Sequence, residues 1–307
     1  MWTNADALWK DQESAITKWN TPLMEGEKII ELPTDQRTIT RRYTDKTIEF
    51  IEKQDDKPFF VYLAHSMPHV PLYVPEDSYD PDPKNAYKCV IEHMDDETGR
   101  LLDKLRDLGL DKNTYVIFTS DNGPWTYLAN HAGSAGPLKG YKGQTHEGGM
   151  RVPCVMWAPG RIPAGTECDQ LATTLDLLPT IAALADSELP KDLKIDGVDL
   201  SLLLKDPSAE TPRKEFLYYS KSGDLDGIRQ DDWKLLIRKK NPQKGEPKID
   251  PPQYINFLYD LSKDIGEEKN LAEEHPELVI VMRQKMESLD AEVEANARVV
   301  WQKPASE

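Results

Sequence analysis

The stretch Thr114–Arg151 (TYVIFTSDNGPWTYLANHAGSAGPLKGYKGQTHEGGMR) sets the frame for the rest of the chain. Thr114-Tyr115-Val116-Ile117-Phe118-Thr119 is a short, apolar, β-rich run, which suits a strand buried on both faces of a sheet. It stops at Ser120-Asp121-Asn122-Gly123-Pro124, where turn formers replace apolar residues. In an open α/β sheet ligands bind beyond the carboxyl ends of the strands, so Asp121 and Asn122 fall where a site would be. A carboxylate beside an amide carbonyl offers the hard oxygens that Ca²⁺ or Mg²⁺ takes. The same tripeptide is also an ordinary turn.

The next residues narrow the choice. Gly133-Ser134-Ala135-Gly136-Pro137-Leu138-Lys139-Gly140-Tyr141-Lys142-Gly143 is a glycine-rich loop with two lysines, leading into Gln144-Thr145-His146-Glu147-Gly148-Gly149-Met150-Arg151 and an apolar strand, Val152–Ala158. Glycines let backbone approach a ligand closely, and a lysine there is a compact charge for an anionic oxygen. A solvated surface loop is the plainer alternative.

The surrounding pattern is that of an α/β domain. Thr40–Gln54 places Tyr43, Thr47, Ile48 and Ile51 on one helical face and ends at Asp55-Asp56-Lys57-Pro58. Phe59–Ala64 follows as a buried strand, and His65-Ser66-Met67-Pro68-His69-Val70-Pro71 is a rigid loop that could aim an imidazole at the crevice. Asn85–Leu108 is a long helix closed by Gly109, which returns the chain to the Thr114 strand. Strand–helix–strand order occurs twice, so the prediction is a mostly parallel sheet flanked by helices. Asp95 and Asp96 on that helix read as a solvated face. Met1–Leu32 reads as loop or weak helix, and Thr174–Leu184 as a helix kinked or opened by Pro179.

Beyond the polar, proline-bearing stretch Lys205–Arg213 the pattern changes. Glu215–Ser220, Gly227–Gln230, Trp233–Arg238 and Phe257–Leu261 are short strands in close succession, which predicts a small antiparallel sheet. Lys239–Pro252 reads as a charged, mobile loop, and Pro276–Val293 as a closing amphipathic helix. The chain is thus expected to divide into residues 1–205 and residues 206–307, the latter a small α+β domain.

Composition removes several classes of function. A net charge of −16 opposes a nucleic-acid partner, which needs a basic face, but not a small anionic substrate met by local cations and a metal. No apolar run reaches the length of a membrane span, and Met1-Trp2-Thr3-Asn4 lacks the basic and apolar regions of a signal peptide. Cys89, Cys154 and Cys168 show neither metal-ligand nor redox spacing, and the compartment stays open.

Four segments together resemble the formylglycine-dependent sulfatases of the arylsulfatase A type, in the alkaline-phosphatase-like superfamily. They are the Pro-His-Val-Pro loop after FFVYLAH, SDNGP followed by GPLKGYKGQTHEGGMRVP, Asp196-Gly197-Val198-Asp199-Leu200, and the tail from Leu258-Tyr259-Asp260-Leu261 to Asn270-Leu271-Ala272. Ile265 and Gly266 stand where that tail often has proline. The resemblance runs from about Thr34 to the end of the chain. It implies hydrolysis of a sulfate ester on a small molecule or glycan. A hydrated formylglycine attacks sulfur, and a divalent cation, usually Ca²⁺, polarises the sulfate. By the same resemblance Asp121 and Asn122 are metal ligands, Lys142 holds the sulfate, and His69 stands near the leaving-group oxygen, with His65 the weaker candidate. No C/S-x-P-S-R motif, from which formylglycine is made, occurs in this sequence. The early aspartate pair and the GKxH segment of the family are absent too. The resemblance therefore implies a carboxy-terminal portion, inactive alone, that would require a separate N-terminal half or associate with itself through an open sheet edge. Two other readings stay open: a phosphatase or phosphodiesterase of the same superfamily, and a non-catalytic sulfatase-like module.

Overall fold

A computed structural model describes residues 4–54, 57–240 and 253–298. The chain forms two compact units. One comprises Met1–Val116 with Pro124–Ser134, and the other comprises Ile117–Gly123 with Ala135–Glu307.

In the first unit two short helices, α1 (Ala5–Lys10) and α2 (Gln12–Trp19), precede a hairpin of β1 (Leu23–Glu25) and β2 (Lys28–Glu31). Gly26, at φ +59°, supplies the left-handed residue that the tight connection requires. This region is more ordered than a loop or weak helix. Trp9 is buried, and its indole N–H donates to the Asp80 carbonyl oxygen at 2.8 Å, a long-range contact that local periodicity does not report. The predicted amphipathic helices appear as α3 (Ile39–Glu52) and α4 (Ala86–Asp107). They pack side by side with ion pairs across the seam, Arg100 to Asp45 at 2.7 Å and Lys104 to Glu52 at 2.9 Å. Gly109 ends α4 at φ +68°, as a C-terminal glycine should. The Asp55-Asp56 stop signal lies outside the described residues.

Phe59–Ala64 departs from expectation. Its residues alternate in exposure, with Phe60 and Tyr62 exposed, but it joins no ladder among the described residues. A strand needs a neighbour for its backbone groups, and the described residues provide this segment with none.

The second strand is laddered. β3 (Val116–Thr119) pairs with β4 (Cys154–Trp157), separated in sequence by the glycine-rich loop and the single turn α5 (Glu147–Met150). Neither strand is buried on both faces: Phe118 is 39% exposed and Val155 63% exposed. A two-stranded ladder leaves more of each face uncovered than the helix-flanked, mostly parallel sheet that the sequence predicts.

In the second unit Thr173 and Asp176 form a capping box ahead of α6 (Leu177–Leu184). Pro179 does not kink this helix. It occupies the first turn, where its missing N–H would have no intrahelical partner. Then come α7 (Ser201–Lys205) and four antiparallel strands in the order β5 (Glu215–Tyr219), β6 (Leu225–Gln230), β7 (Trp233–Lys239) and β8 (Tyr254–Asp260). The helix α8 (Pro276–Ala295) closes the chain. All four predicted strands are present, and the predicted mobile loop lies, from Asn241 to Pro252, outside the described residues.

The small sheet is covered on both faces. With the strand period of two, Ile228, Leu235, Ile237 and Leu258 turn one way and pack on Val279, Met282 and Met286 of α8. Tyr218, Leu236, Tyr259 and Leu261 cluster on the opposite side. The buried Asp176–Arg213 pair pins the Asp196-Gly197-Val198 segment to this unit. Arg213 Nε donates to Asp176 Oδ2 at 2.7 Å, Arg213 Nη2 to the Asp196 carbonyl oxygen at 2.9 Å, and the Val198 N–H to Asp176 Oδ1 at 2.8 Å.

Candidate functional site

The turn carrying Asp121 and Asn122 leaves the end of β3 and docks on the corner where α5 leads into β4. The Gly123 N–H donates to the Gly149 carbonyl oxygen at 3.0 Å. A Cβ on Gly123 would overlap the Gly148 carbonyl, so only glycine permits this approach. Asp121 is exposed and Asn122 half-buried, with Asn122 Nδ2 donating to the Gly123 carbonyl oxygen at 2.9 Å.

The glycine-rich loop folds back on the same corner. The Gly148 N–H donates to the Lys139 carbonyl oxygen at 2.7 Å, and the Gln144 N–H to the Tyr141 carbonyl oxygen at 3.0 Å. A Cβ at Gly148 or Gly149 would strike carbonyl oxygens of residues 138–144. Lys142, half-buried, therefore sits in a hairpin-like turn between Gly140 and Gly143, both at positive φ (+88° and +86°). The two glycines at 148 and 149 bring the Asp121-Asn122 turn and the Lys142 turn onto one corner of the fold.

His69 belongs to the other compact unit. Met67 and Val70 on either side are buried in its core with Leu72 and Tyr73, which leaves His69 exposed. Its Nδ1 lies 2.8 Å from the Val70 carbonyl oxygen, and its ring centroid is 6.4 Å from that of Trp125. His65 is less accessible. Burial holds its imidazole below the ordinary range, and its Nδ1 is buried without a hydrogen-bond partner.

A Ca²⁺ ion wants about six to eight oxygens. The turn supplies the Asp121 carboxylate and the Asn122 amide. Among the described residues no group of three or more His, Cys, Asp or Glu side chains is disposed to hold a metal. These residues do not by themselves fit the ion.

Several residues that sequence reasoning passed over support the corner from the sheet. Lys234 on β7 is fully buried, with Nζ 2.8 Å from Glu147 Oε1 and 3.0 Å from Glu267 Oε1. Burial alone would raise the Glu147 carboxyl. Lys234, reinforced by Arg229, reverses that and holds it below the ordinary range. Burial dominates at Glu267 and pushes its carboxyl up. His146, beside Glu147, is lowered to about 4 by burial and by the cations Lys234, Arg238 and Lys139. The signal for these residues was the alternation in Trp-Lys-Leu-Leu-Ile-Arg, which puts Lys234, Leu236 and Arg238 on one face. That face would ordinarily be read as solvated.

The sulfatase family model matches residues 2–187, and a second model, N-sulphoglucosamine sulphohydrolase, C-terminal, matches residues 141–292. Arylsulfatase G of Rattus norvegicus is 31% identical over 294 residues, 89% of this chain and 55% of the relative. Arylsulfatase A of Homo sapiens is 34% identical over 260 residues, 79% of this chain and 50% of the relative. The chain thus spans about half the length of these relatives. The crystal structure of PsFucS1 sulfatase from Pseudoalteromonas sp. superposes with a TM-score of 0.75 at 24% identity, covering 87% of this chain and 55% of that one. At that identity the likeness establishes the fold, which is α/β and alkaline-phosphatase-like with a small antiparallel sheet toward the C-terminus.

Proposed function

Because this chain belongs to the sulfatase family of sulfate-ester hydrolases, we propose that it is the carboxy-terminal portion of a working sulfatase and contributes half of the site. Residues 1–205 are its part of the catalytic domain and residues 206–307 its small C-terminal domain. Lys142 places its ammonium against a sulfate oxygen and offsets the negative charge that grows there in the transition state. His69 stands near the leaving-group oxygen and protonates it. Asp121 and Asn122 would supply two oxygens of a Ca²⁺ or Mg²⁺ site whose other ligands, like the formylglycine nucleophile, these 307 residues do not hold. The substrate is a sulfated small molecule or glycan.

The observation that supports this reading is the Gly123–Gly149 contact, which seats the carboxylate turn and the lysine turn on one corner. On this reading the chain alone does not turn over sulfate esters, because the sequence holds no C/S-x-P-S-R. The test is hydrolysis of a chromogenic aryl sulfate by the chain alone and after addition of a polypeptide carrying the aspartate-pair strand and that motif. Activity only in the mixture, abolished by Lys142→Ala, supports the proposal. Activity of the chain alone sinks it. Binding of a sulfated ligand with no turnover in either sample would favour a non-catalytic module, and hydrolysis of a phosphate ester in preference to the sulfate would favour a phosphatase or phosphodiesterase. Sedimentation of the chain alone, as a monomer or a concentration-dependent dimer, tells whether it associates with itself instead.

A further inference from the structure

Lys234 and Arg229 are directly opposite each other on β7 and β6. Like charges across a ladder repel, and a fully buried ammonium is costly unless carboxylates meet it. Here two carboxylates do, and both come from outside the strands. Glu147 reaches Lys234 from α5 through Oε1, which also accepts from Tyr218 Oη at 3.3 Å, and Arg229 Nη1 lies 3.5 Å from Oε2. Glu267 arrives from the segment after β8. The Lys234 ammonium also lies 4.4 Å from the centre of the Tyr218 ring.

The carboxylates and their backbone lead back to the glycine-rich loop. Glu267 Oε2 accepts from the Glu147 N–H at 2.7 Å, and the Glu267 carbonyl oxygen accepts from Lys139 Nζ at 2.7 Å. The Lys139 carbonyl oxygen in turn takes the Gly148 N–H. On the same face Arg238 Nη2 donates to Thr145 Oγ1 at 2.9 Å. On the face of the sheet opposite α8, beside the Tyr218, Leu236 and Tyr259 cluster, these polar contacts fasten both ends of the Lys142 turn.

We infer that Lys234 and Glu267 are positioning residues that hold the Lys142 turn in place from the C-terminal sheet. The role of Lys142 itself rests on the proposed function; the fastening does not. A simple packing role for Lys234 would be met by its aliphatic stem, whereas a positioning role needs the charge.

The test compares the chain with Lys234→Met, which keeps the stem and removes the ammonium, and with Lys234→Met/Glu267→Gln. The double variant restores charge balance and leaves an amide oxygen for the Glu147 N–H. Amide hydrogen exchange is followed at residues 138–149 and at Leu235, Leu236 and Leu258 in the sheet. Acylation of Lys142 by an amine-reactive reagent is followed with and without inorganic sulfate. In Lys234→Met, exchange in the loop rises about tenfold or more while the sheet amides hold, since local opening need not be global. The double variant recovers much of the loop protection, and sulfate shields Lys142 several-fold less in Lys234→Met than in the parent. Unchanged loop exchange overturns the inference. So does equal loosening of loop and sheet, or, where sulfate does shield Lys142 in the parent, equal shielding in the variant. If sulfate fails to shield Lys142 in the parent, the proposed role of Lys142 falls, and loop exchange alone still decides whether Lys234 and Glu267 position the turn.

Discussion

The Gly123 N–H donates to the Gly149 carbonyl oxygen across 3.0 Å, joining two glycines that stand in separate runs of the sequence. No other residue fits at 123, because a Cβ would overlap the Gly148 carbonyl, which belongs to backbone and cannot swing away. Gly123→Ala is therefore expected to destabilise the second unit by about 1–3 kcal/mol, the usual cost of overpacking, and to raise hydrogen exchange at Gly123 and Gly149. Gly99, in the interior of α4 with nothing within reach of a Cβ, is the control. Gly99→Ala should stabilise by about 0.5–1 kcal/mol. Chemical denaturation of the two variants, fitted with separate transitions where they appear, decides the matter, and equal effects would refute the argument.

The Asp176–Arg213 pair is buried and hydrogen-bonded on every side. Burial alone would raise the Asp176 carboxyl; the Arg213 guanidinium and the Val198 and Thr173 N–H groups together hold it low. Removing one partner leaves the other charge buried. Arg213→Ala should then cost about 3–5 kcal/mol, and should free the segment Asp196–Val198 to proteolysis. Asp176→Ala/Arg213→Ala, which strands no charge, should cost less than the sum of the single changes. Additive losses in a double-mutant cycle would show that the pair is not coupled.

Much of this fold is legible from the residues, and the exceptions have physical causes. The long helices, the four C-terminal strands and α8 arise from 3.6- and 2-residue periods, and the resemblance locates the SDNGP, EGG and DGVDL segments. What local pattern does not report is the partner of a face. Phe59–Ala64 has strand composition and strand alternation without a ladder, and Trp9 joins the core through a residue 71 positions away. Lys234 reads as a solvated lysine until Glu147 and Glu267 are seen to cover it. Of the proposed site residues, Asp121, Asn122 and Lys142 are brought to one corner by glycines that the sequence displays openly. His69 is set out from a core of its own.

His146 makes stability depend on pH with a definite sign. Burial, and then Lys234, Arg238 and Lys139, lower its imidazole to about 4, against 6.5 for an unhindered histidine, while Asp226 opposes them weakly. Between those values the unfolded chain binds a proton that the folded chain refuses, so unfolding becomes more favourable as pH falls from 6.5 toward 4. The contribution is complete above 6.5. His146→Phe, which fills similar space without a titrating nitrogen, should flatten the fall in melting temperature over that window. Part of the slope should persist, since burial also lowers His65 and His93. An unchanged slope in His146→Phe would show that this residue does not set it.

The Asp121-Asn122 turn should be a weak metal site by itself. One exposed carboxylate and one amide oxygen leave most of a Ca²⁺ shell to water, and even dedicated extracellular modules with fuller ligand sets bind only at about 0.1–1 mM. Titration calorimetry of the chain in chelator-treated buffer is therefore expected to show no site tighter than about 1 mM, and Asp121→Ala should leave the melting temperature unchanged with or without Ca²⁺. On the proposed function the same substitution should matter once a polypeptide carrying the aspartate-pair strand is added, because the two oxygens would then join a fuller shell: the mixture's Ca²⁺-dependent gain in melting temperature should disappear. A sub-millimolar site in the chain alone, lost in Asp121→Ala, would mean that this portion already gathers enough ligands to bind the ion. That result would move the balance from half of an enzyme toward a metal-binding module.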